Sequence, residues 1–291
     1  MSIGMDAECV LCHLQKNIAT ARSLGDEATA AAFAKDLMRL HLDAPADAGS
    51  PYLGPGTNAL FQKYYGIGPD RYRQEKIDSN QFVMERFPQI CQRVEAAEDP
   101  VLAAVQFAIL GNYLDFSALR GNVSFEKLDE MLSSALEMEL DMQCYAALCS
   151  DLARGKTLLL LTDNAGEIGF DRILAEQIQK AYPHLQITVC VRGQITQNDA
   201  TREDAQTVGM PFPIIDNGNA VAGTEISQLS PEAKTALETA DVVIAKGMGN
   251  TETMFGCGYN VYYLFLVKCG RFVRFFNKPL MTPMLVRERE Q

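Results

Sequence analysis

The stretch KTLLLLTDNAG, residues 156–166, constrains the architecture of this chain more than any other. Its apolar run is too short for a helix of ordinary length and has no polar alternation, so it reads as a strand covered on both faces. It ends in polar residues and glycine, and Glu167 to Ala181 then reads as a helix. The same grammar of strand, loop and intervening helix recurs in LQITVCVRG, PFPIIDNGN, ADVVIAKGMGN and YNVYYLFLVK. Strands alternating with helices give parallel units with right-handed crossovers. The expected fold class is therefore α/β: a three-layer α/β/α core with a mostly parallel sheet in the C-terminal half.

The N-terminal half is patterned differently. From Ala19 to Leu42 it is rich in alanine, with Ala30, Phe33, Leu37 and Leu40 at helical spacing. Residues 43–56, rich in Ala, Pro and Gly, predict a connecting loop. Helices are expected over 71–95, 99–118 and 124–153, with Asp99-Pro100 opening the second and Ser124 capping the third. The 291 residues thus divide into an all-helical part, 1–153, and an α/β part, 154–291. Arg287 to Gln291 reads as a solvated end.

The net charge of −11 disfavours nucleic acid and anionic membrane surfaces as partners. No apolar run reaches the roughly 18 residues that span a bilayer, and MSIGMDAECV has no basic segment followed by an apolar one, so a cytoplasmic protein is expected. The eight cysteines do not form a secreted disulfide framework and are expected as thiols.

In an open parallel sheet, ligands bind beyond the carboxyl ends of the strands. Four successive exits deliver Asp163-Asn164-Ala165-Gly166-Glu167, then Arg192-Gly193 followed by Asn198-Asp199, then Asp216-Asn217-Gly218, and lastly Lys246-Gly247-Met248-Gly249-Asn250. Carboxylate and amide oxygens are the hard donors that Mg²⁺ and Mn²⁺ prefer, and Asp163, Asn164 and Asp199 meet that description. Gly166, opening a helix, would let backbone amides face an anion, and Lys246 would add a mobile cation. Each element also has a plainer reading: DNG at 216–218 as a turn, and Asp163-Asn164 as a helix cap. Their recurrence on consecutive exits favours a site.

At these residues the sequence resembles the damage-control phosphatase family, formerly domain of unknown function 89. The resemblance is carried by LLLLTDNAGEIGFDRIL, VRGQITQNDAT, DNGNAVAGT and DVVIAKGMGNTETM. ECVLCHLQ, DRYRQEKIDSN and GNYLDF are similar to its prokaryotic branch with an N-terminal CxxC. The resemblance implies an α/β/α phosphatase acting on small phosphorylated metabolites, such as sugar phosphates or damaged phosphometabolites, with a divalent metal: Mg, Mn, Co or Ni. It implies Asp163, Asn164 and Asp199 as metal ligands and Lys246 as the phosphate-binding cation, and Asp163 is then the catalytic candidate, either as the base that orients water or as a nucleophile that attacks phosphorus itself. Gly166, Glu167, Asp216, Asn217 and Asn250 are the accompanying substrate-binding candidates.

On a helix over 101–118, Val101, Val105, Ile109, Asn112 and Phe116 share a face, so the Asn112 amide is either a satisfied structural group or, with Asp115, a pocket group. Cys9 and Cys12, next to His13, supply two zinc ligands where four are needed, and no second CxxC exists. Ordinary thiols, a structural metal and redox regulation all remain open for them. Two further functions compete: an S-adenosylmethionine-dependent methyltransferase, which expects a glycine-rich loop after the first strand where DNAGE offers one glycine, and a non-enzymatic metal or redox sensor built on the CxxC.

Overall fold

The computed structural model describes residues 3–115 and 123–288; Phe116, positions 116–118 of the expected helix and positions 289–291 of the expected tail lie outside them. Seven helices come first: α1 (Ala7–Leu24), α2 (Glu27–Asp43), α3 (Gly54–Tyr65), α4 (Arg73–Glu95), α5 (Pro100–Gly111), α6 (Phe125–Ser133) and α7 (Met142–Arg154). The rest alternates as β1 (Thr157–Leu161), α8 (Glu167–Ala181), β2 (Gln186–Val191), α9 (Arg202–Thr207), β3 (Ile214–Asp216), α10 (Pro231–Thr239), β4 (Val242–Lys246), α11 (Gly247–Met254), β5 (Val261–Leu266), α12 (Gly270–Phe276) and β6 (Pro283–Arg287). The expected α/β class and the helix over Glu167–Ala181 are both found.

Local chemistry sets the boundaries. Asp99 accepts from the amides of Val101 and Leu102 at 3.1 and 3.0 Å, and Pro100 follows it at the first helical position. Ser124 accepts from Lys127 N at 3.1 Å, as its sequence position predicts. The run from 19 to 42 is broken instead by Gly25 and Asp26, whose carboxylate caps α2 through Thr29 N at 2.7 Å. The expected loop over 43–56 already contains a 3-10 turn, Ser50–Leu53, and the start of α3. The helix expected over 124–153 is split, because Asp141 caps a new helix through Gln143 N and Cys144 N.

The sheet order is β3-β2-β1-β4-β5-β6. The first five strands are mutually parallel, and β6, absent from the sequence expectation, pairs antiparallel with β5. Leu158 lies between Ile187 and Val242, and Leu161 between Cys190 and Ala245. The chain winds outward from β1 to β3 and then returns to β4, so the crevice where ligands gather opens above the carboxyl ends of β1 and β4.

Both faces of β1 are covered. Leu158 and Leu160 join a core with α4 to α8, whereas Leu159 and Leu161 join one formed with α10, α11 and α12. Each buried leucine contributes roughly 1.5–3 kcal/mol, which is why an unbroken apolar run belongs here. The N-terminal helices share the first core with the sheet, so the change of pattern near residue 153 is one of secondary-structure type within a continuous interior. A smaller cluster, Ala21, Ala30, Phe33, Leu37 and Phe61, joins α1, α2 and α3. Among the described residues no helix is long and apolar enough to cross a membrane.

Candidate active site

A cavity of about 570 Å³ opens at the predicted sheet edge, and Asp163, Asn164 and Asp199 all line it. The two loops that carry them are stitched together by their backbones. Ala200 N donates to Asp163 O at 2.7 Å and Ala165 N to Asn198 O at 2.9 Å, while Asn164 and Asp199 form an isolated antiparallel bridge. The Asn198 amide donates to Asn164 Oδ1 at 2.9 Å. Gly247, at φ +78°, makes room for this arrangement: a Cβ there would lie 1.9 Å from Asp163 Oδ2.

Arg192 lies behind the two carboxylates. Its Nε donates to Asp199 Oδ2 at 2.7 Å, its Nη2 reaches Asp163 Oδ1 at 3.5 Å, and its Nη1 donates to Asn250 Oδ1 at 3.2 Å. This one guanidinium does not neutralise the cluster. Burial, reinforced by the charges of Glu167, Asp199 and Asp115, pushes the Asp163 carboxyl well above the usual carboxylate range. Burial likewise raises Asp199 to about 6 despite Arg192. Carboxylates that resist ionisation so strongly mark a shortage of positive charge. Two hard carboxylates and an amide fit a divalent ion that completes its shell with water or substrate oxygens.

The structure corrects the role expected for Lys246. Its side chain is fully buried under α5 and α8, and its ammonium donates to Glu167 Oε1 at 2.7 Å, Asp171 Oδ1 at 2.8 Å and Ala108 O at 2.8 Å. All three donors are engaged, so it is neither mobile nor available to phosphate. Burial alone would lower its pKa, but Asp171 and Glu167 outweigh burial and raise it, so the ammonium stays charged.

Lys268, just beyond β5, is among the residues that line the cavity, with its side chain buried against Asp115. It donates to Asn112 O at 2.6 Å and to Asp115 Oδ2 at 2.7 Å. Two of its three donors are thus held by described residues. Sequence reasoning passed over Lys268 by reading YNVYYLFLVK only as a strand. A cation closing an apolar strand at the ligand-binding edge was the available signal.

The other candidates separate into wall and support. Asp115 lines the cavity beside Lys268. Asn112 is a supporting amide: it donates to Asp163 Oδ2 and Glu167 Oε2 and accepts from Leu266 N. Glu167 has no exposed surface and is held by Asn112, Asn164 and Lys246, so it is not a substrate contact. The Gly166 amide, expected to face an anion, instead donates to Asn80 Oδ1 at 2.7 Å. Asp216 accepts from Arg202 and from Gly218 N, the plain turn reading. Asn217 orders the neighbouring loop through Gly193 N and Asn219 N. Asn250 braces Arg192, Thr162 O and Lys246 O.

Cys9, Cys12 and Cys269 line the outer part of the cavity with Glu252, another group that sequence reasoning missed. Burial lifts the Cys9 thiol to about 12, the Cys269 thiol to about 11 and the Glu252 carboxyl to about 7. Cys9 and Cys269 are therefore thiols rather than thiolates at neutral pH. Among the described residues no group of three or more His, Cys, Asp or Glu could hold a metal ion, so a closed zinc site on the CxxC has no ligand set here.

His13 sits between His41, at 3.0 Å, and the Thr57 hydroxyl, at 3.1 Å. Burial, then the neighbouring His41 and Lys16, lower its pKa to about 3, so it is neutral in the fold and protonates first in the unfolded chain. Between pH 6.5 and 3 the unfolded state therefore binds the extra proton, and stability falls as pH falls, by about 1.4 kcal/mol per pH unit at most. His13→Gln is expected to flatten that slope in urea titrations at pH 4–6.5; an unchanged slope would remove His13 as its cause.

The damage-control phosphatase ARMT1-like domain model matches residues 5–282 of this chain. An uncharacterized protein of Methanocaldococcus jannaschii is 29% identical over 284 residues, 92% of this chain and 90% of that relative. A damage-control phosphatase of Archaeoglobus fulgidus is 32% identical over 204 residues, 69% of each chain. The crystal structure of a DUF89 family protein of Pyrococcus horikoshii superposes with a TM-score of 0.80 at 24% identity, covering 99% of this chain and 100% of that one; this likeness shows the fold.

Proposed function

This chain belongs to the damage-control phosphatase ARMT1-like family, and from that premise we propose that it is a metal-dependent phosphatase that hydrolyses phosphoric monoesters of small metabolites. The observation that carries the reading is a single cavity wall where Asp163, Asn164 and Asp199 stand with Lys268. Family membership sets the methyltransferase reading aside. The cavity volume, about 570 Å³, suits a ligand the size of a sugar phosphate.

Asp163, Asn164 and Asp199 would hold the ion, Mg²⁺, Mn²⁺, Co²⁺ or Ni²⁺, which when bound supplies Lewis-acid polarisation of a phosphoryl oxygen. Lys268 would turn an N–H to another phosphoryl oxygen and stabilise the charge that the transferring group carries. Asp115 and the Asn112 carbonyl orient that ammonium. Arg192 and Asn112 hold the Asp163 and Asp199 carboxylates in place, and Asp163 orients the attacking water. Cys9, Cys12, Cys269 and Glu252 form the part of the wall that meets the remainder of the substrate.

The test is phosphate release from a panel of phosphorylated metabolites with each of the four metals, run beside Lys268→Ala. Loss of one charged donor is expected to lower kcat/KM by about a hundredfold. Undiminished turnover in Lys268→Ala would refute the phosphate-binding role, and a wild-type protein that releases no phosphate with any metal would refute the function.

A further inference from the structure

We propose that Asn80, backed by Asp204 and Lys76, is a positioning residue that holds the two metal-ligand loops in register from the side away from the substrate. The proposal rests on the metal reading of Asp163, Asn164 and Asp199.

Asn80 is 4% exposed, and both ends of its amide are engaged. Its Oδ1 accepts from Gly166 N at 2.7 Å, two residues beyond Asn164, and its Nδ2 donates to Asp204 Oδ1 at 2.9 Å. The other Asp204 oxygen accepts from the Thr201 amide and hydroxyl, both at 2.8 Å, two residues beyond Asp199. Lys76, one turn before Asn80 on α4, pairs with the same oxygen at 2.7 Å. One helix face thus grips the end of each ligand loop through a continuous polar chain.

The grip acts where each loop is least able to hold itself. Gly166 has φ +77° and is closely walled: a Cβ there would meet Leu114 Cδ1 at 2.7 Å and Ser79 Cβ at 2.8 Å. Its amide precedes the first turn of α8 and has no helical carbonyl to use, so Asn80 fixes the turn that aims Asp163 and Asn164. On the second loop, Asp204 completes a capping box with Thr201 and fixes where α9 starts after Asp199. The direct ties between the loops run from Ala200 N to Asp163 O and from Asn198 Nδ2 to Asn164 Oδ1. Asn80 and Asp204 close the ring from behind. Groups that orient metal ligands without touching the ion commonly shift affinity by about ten- to a hundredfold.

A second cavity of about 340 Å³ is lined by Lys76, Asn80 and Asp204 and also by Arg73 and Glu203. A shortened side chain at position 80 would therefore open into existing space, and variants there are expected to fold.

The experiment uses the full chain as wild type, Asn80→Ala, Asp204→Asn and, as a control, Arg73→Ala, whose partner Glu203 is exposed and 3.8 Å away. Mn²⁺ binding is measured by electron paramagnetic resonance, and hydrogen exchange is followed across residues 163–169. Asn80→Ala is expected to weaken Mn²⁺ binding by about ten- to a hundredfold and to speed exchange at Gly166, with Asp204→Asn intermediate and Arg73→Ala like wild type. A general loss of stability moves the melting temperature without moving Mn²⁺ affinity well below it. Wild-type Mn²⁺ affinity in a folded Asn80→Ala would overturn the proposal. A wild-type protein that takes up no Mn²⁺ would overturn the metal reading, and the proposal with it.

Discussion

Replacing Asp163 with asparagine is expected to lower kcat/KM for phosphate-ester hydrolysis by about a thousandfold while leaving the chain folded. The position combines two roles, a hard charged donor to the ion and the group that orients water, and an amide performs both poorly. The fold should tolerate the change because an amide oxygen still accepts from Asn112 Nδ2 and Asn164 Nδ2, now at 3.1 and 2.8 Å. Burial and the charges of Glu167 and Asp199 already favour the neutral form of the wild-type carboxyl in the metal-free protein. An amide keeps that neutrality, so the metal-free variant should melt no lower than the metal-free wild type. Steady-state kinetics with metal, and melting curves with and without it, check the two halves. Wild-type turnover in the variant would rule out Asp163 as a ligand.

The second large effect is structural. Lys246→Met removes the cation that donates to both Glu167 and Asp171, leaving two buried carboxylates face to face, a loss expected to cost about 3–5 kcal/mol. A urea midpoint reads it directly. A phosphate-binding lysine would behave differently, with stability kept and KM raised. That outcome would restore the role the sequence suggested for position 246. The contrast with Lys268→Ala, where the fold is expected to hold and turnover to fall, separates a supporting ammonium from a working one.

These two lysines also show how far the sequence could be read. The strand layer was legible because burial on both faces leaves runs such as Leu158 to Leu161 without alternation. The ligand loops were legible because parallel strands all deliver their exits to one edge, and Asp163, Asn164 and Asp199 do meet there. What a strand exit does not reveal is the direction of its last side chain. Lys246 has the parity of Val242 and Ile244, which face the core shared with α5 and α8, and so it is drawn under the helices. Applied to β4, that alternation would have placed it correctly. Lys268 lies beyond its strand, where parity no longer applies, and its position depends on Asn112 and Asp115 from the distant segment that follows α5. Glu252 and Asn80 were illegible for the same reason. Each takes its meaning from a partner far along the chain, Ser50 N for the first and Gly166 N for the second.

The interior common to α4 through α8 and the sheet ties the cavity edge to the amino-terminal half. Leu158, Leu160, Val242, Ile244 and Leu264 have their covering layer chiefly in helices encoded before residue 155. The strand half, expressed by itself, would present that hydrophobic floor to water and would also lose Asn112, the amide that spans Asp163 and Glu167. The loops that carry Asp163 and Asp199 are therefore not a portable module: whatever chemistry they perform arrives only when the polypeptide has closed over them.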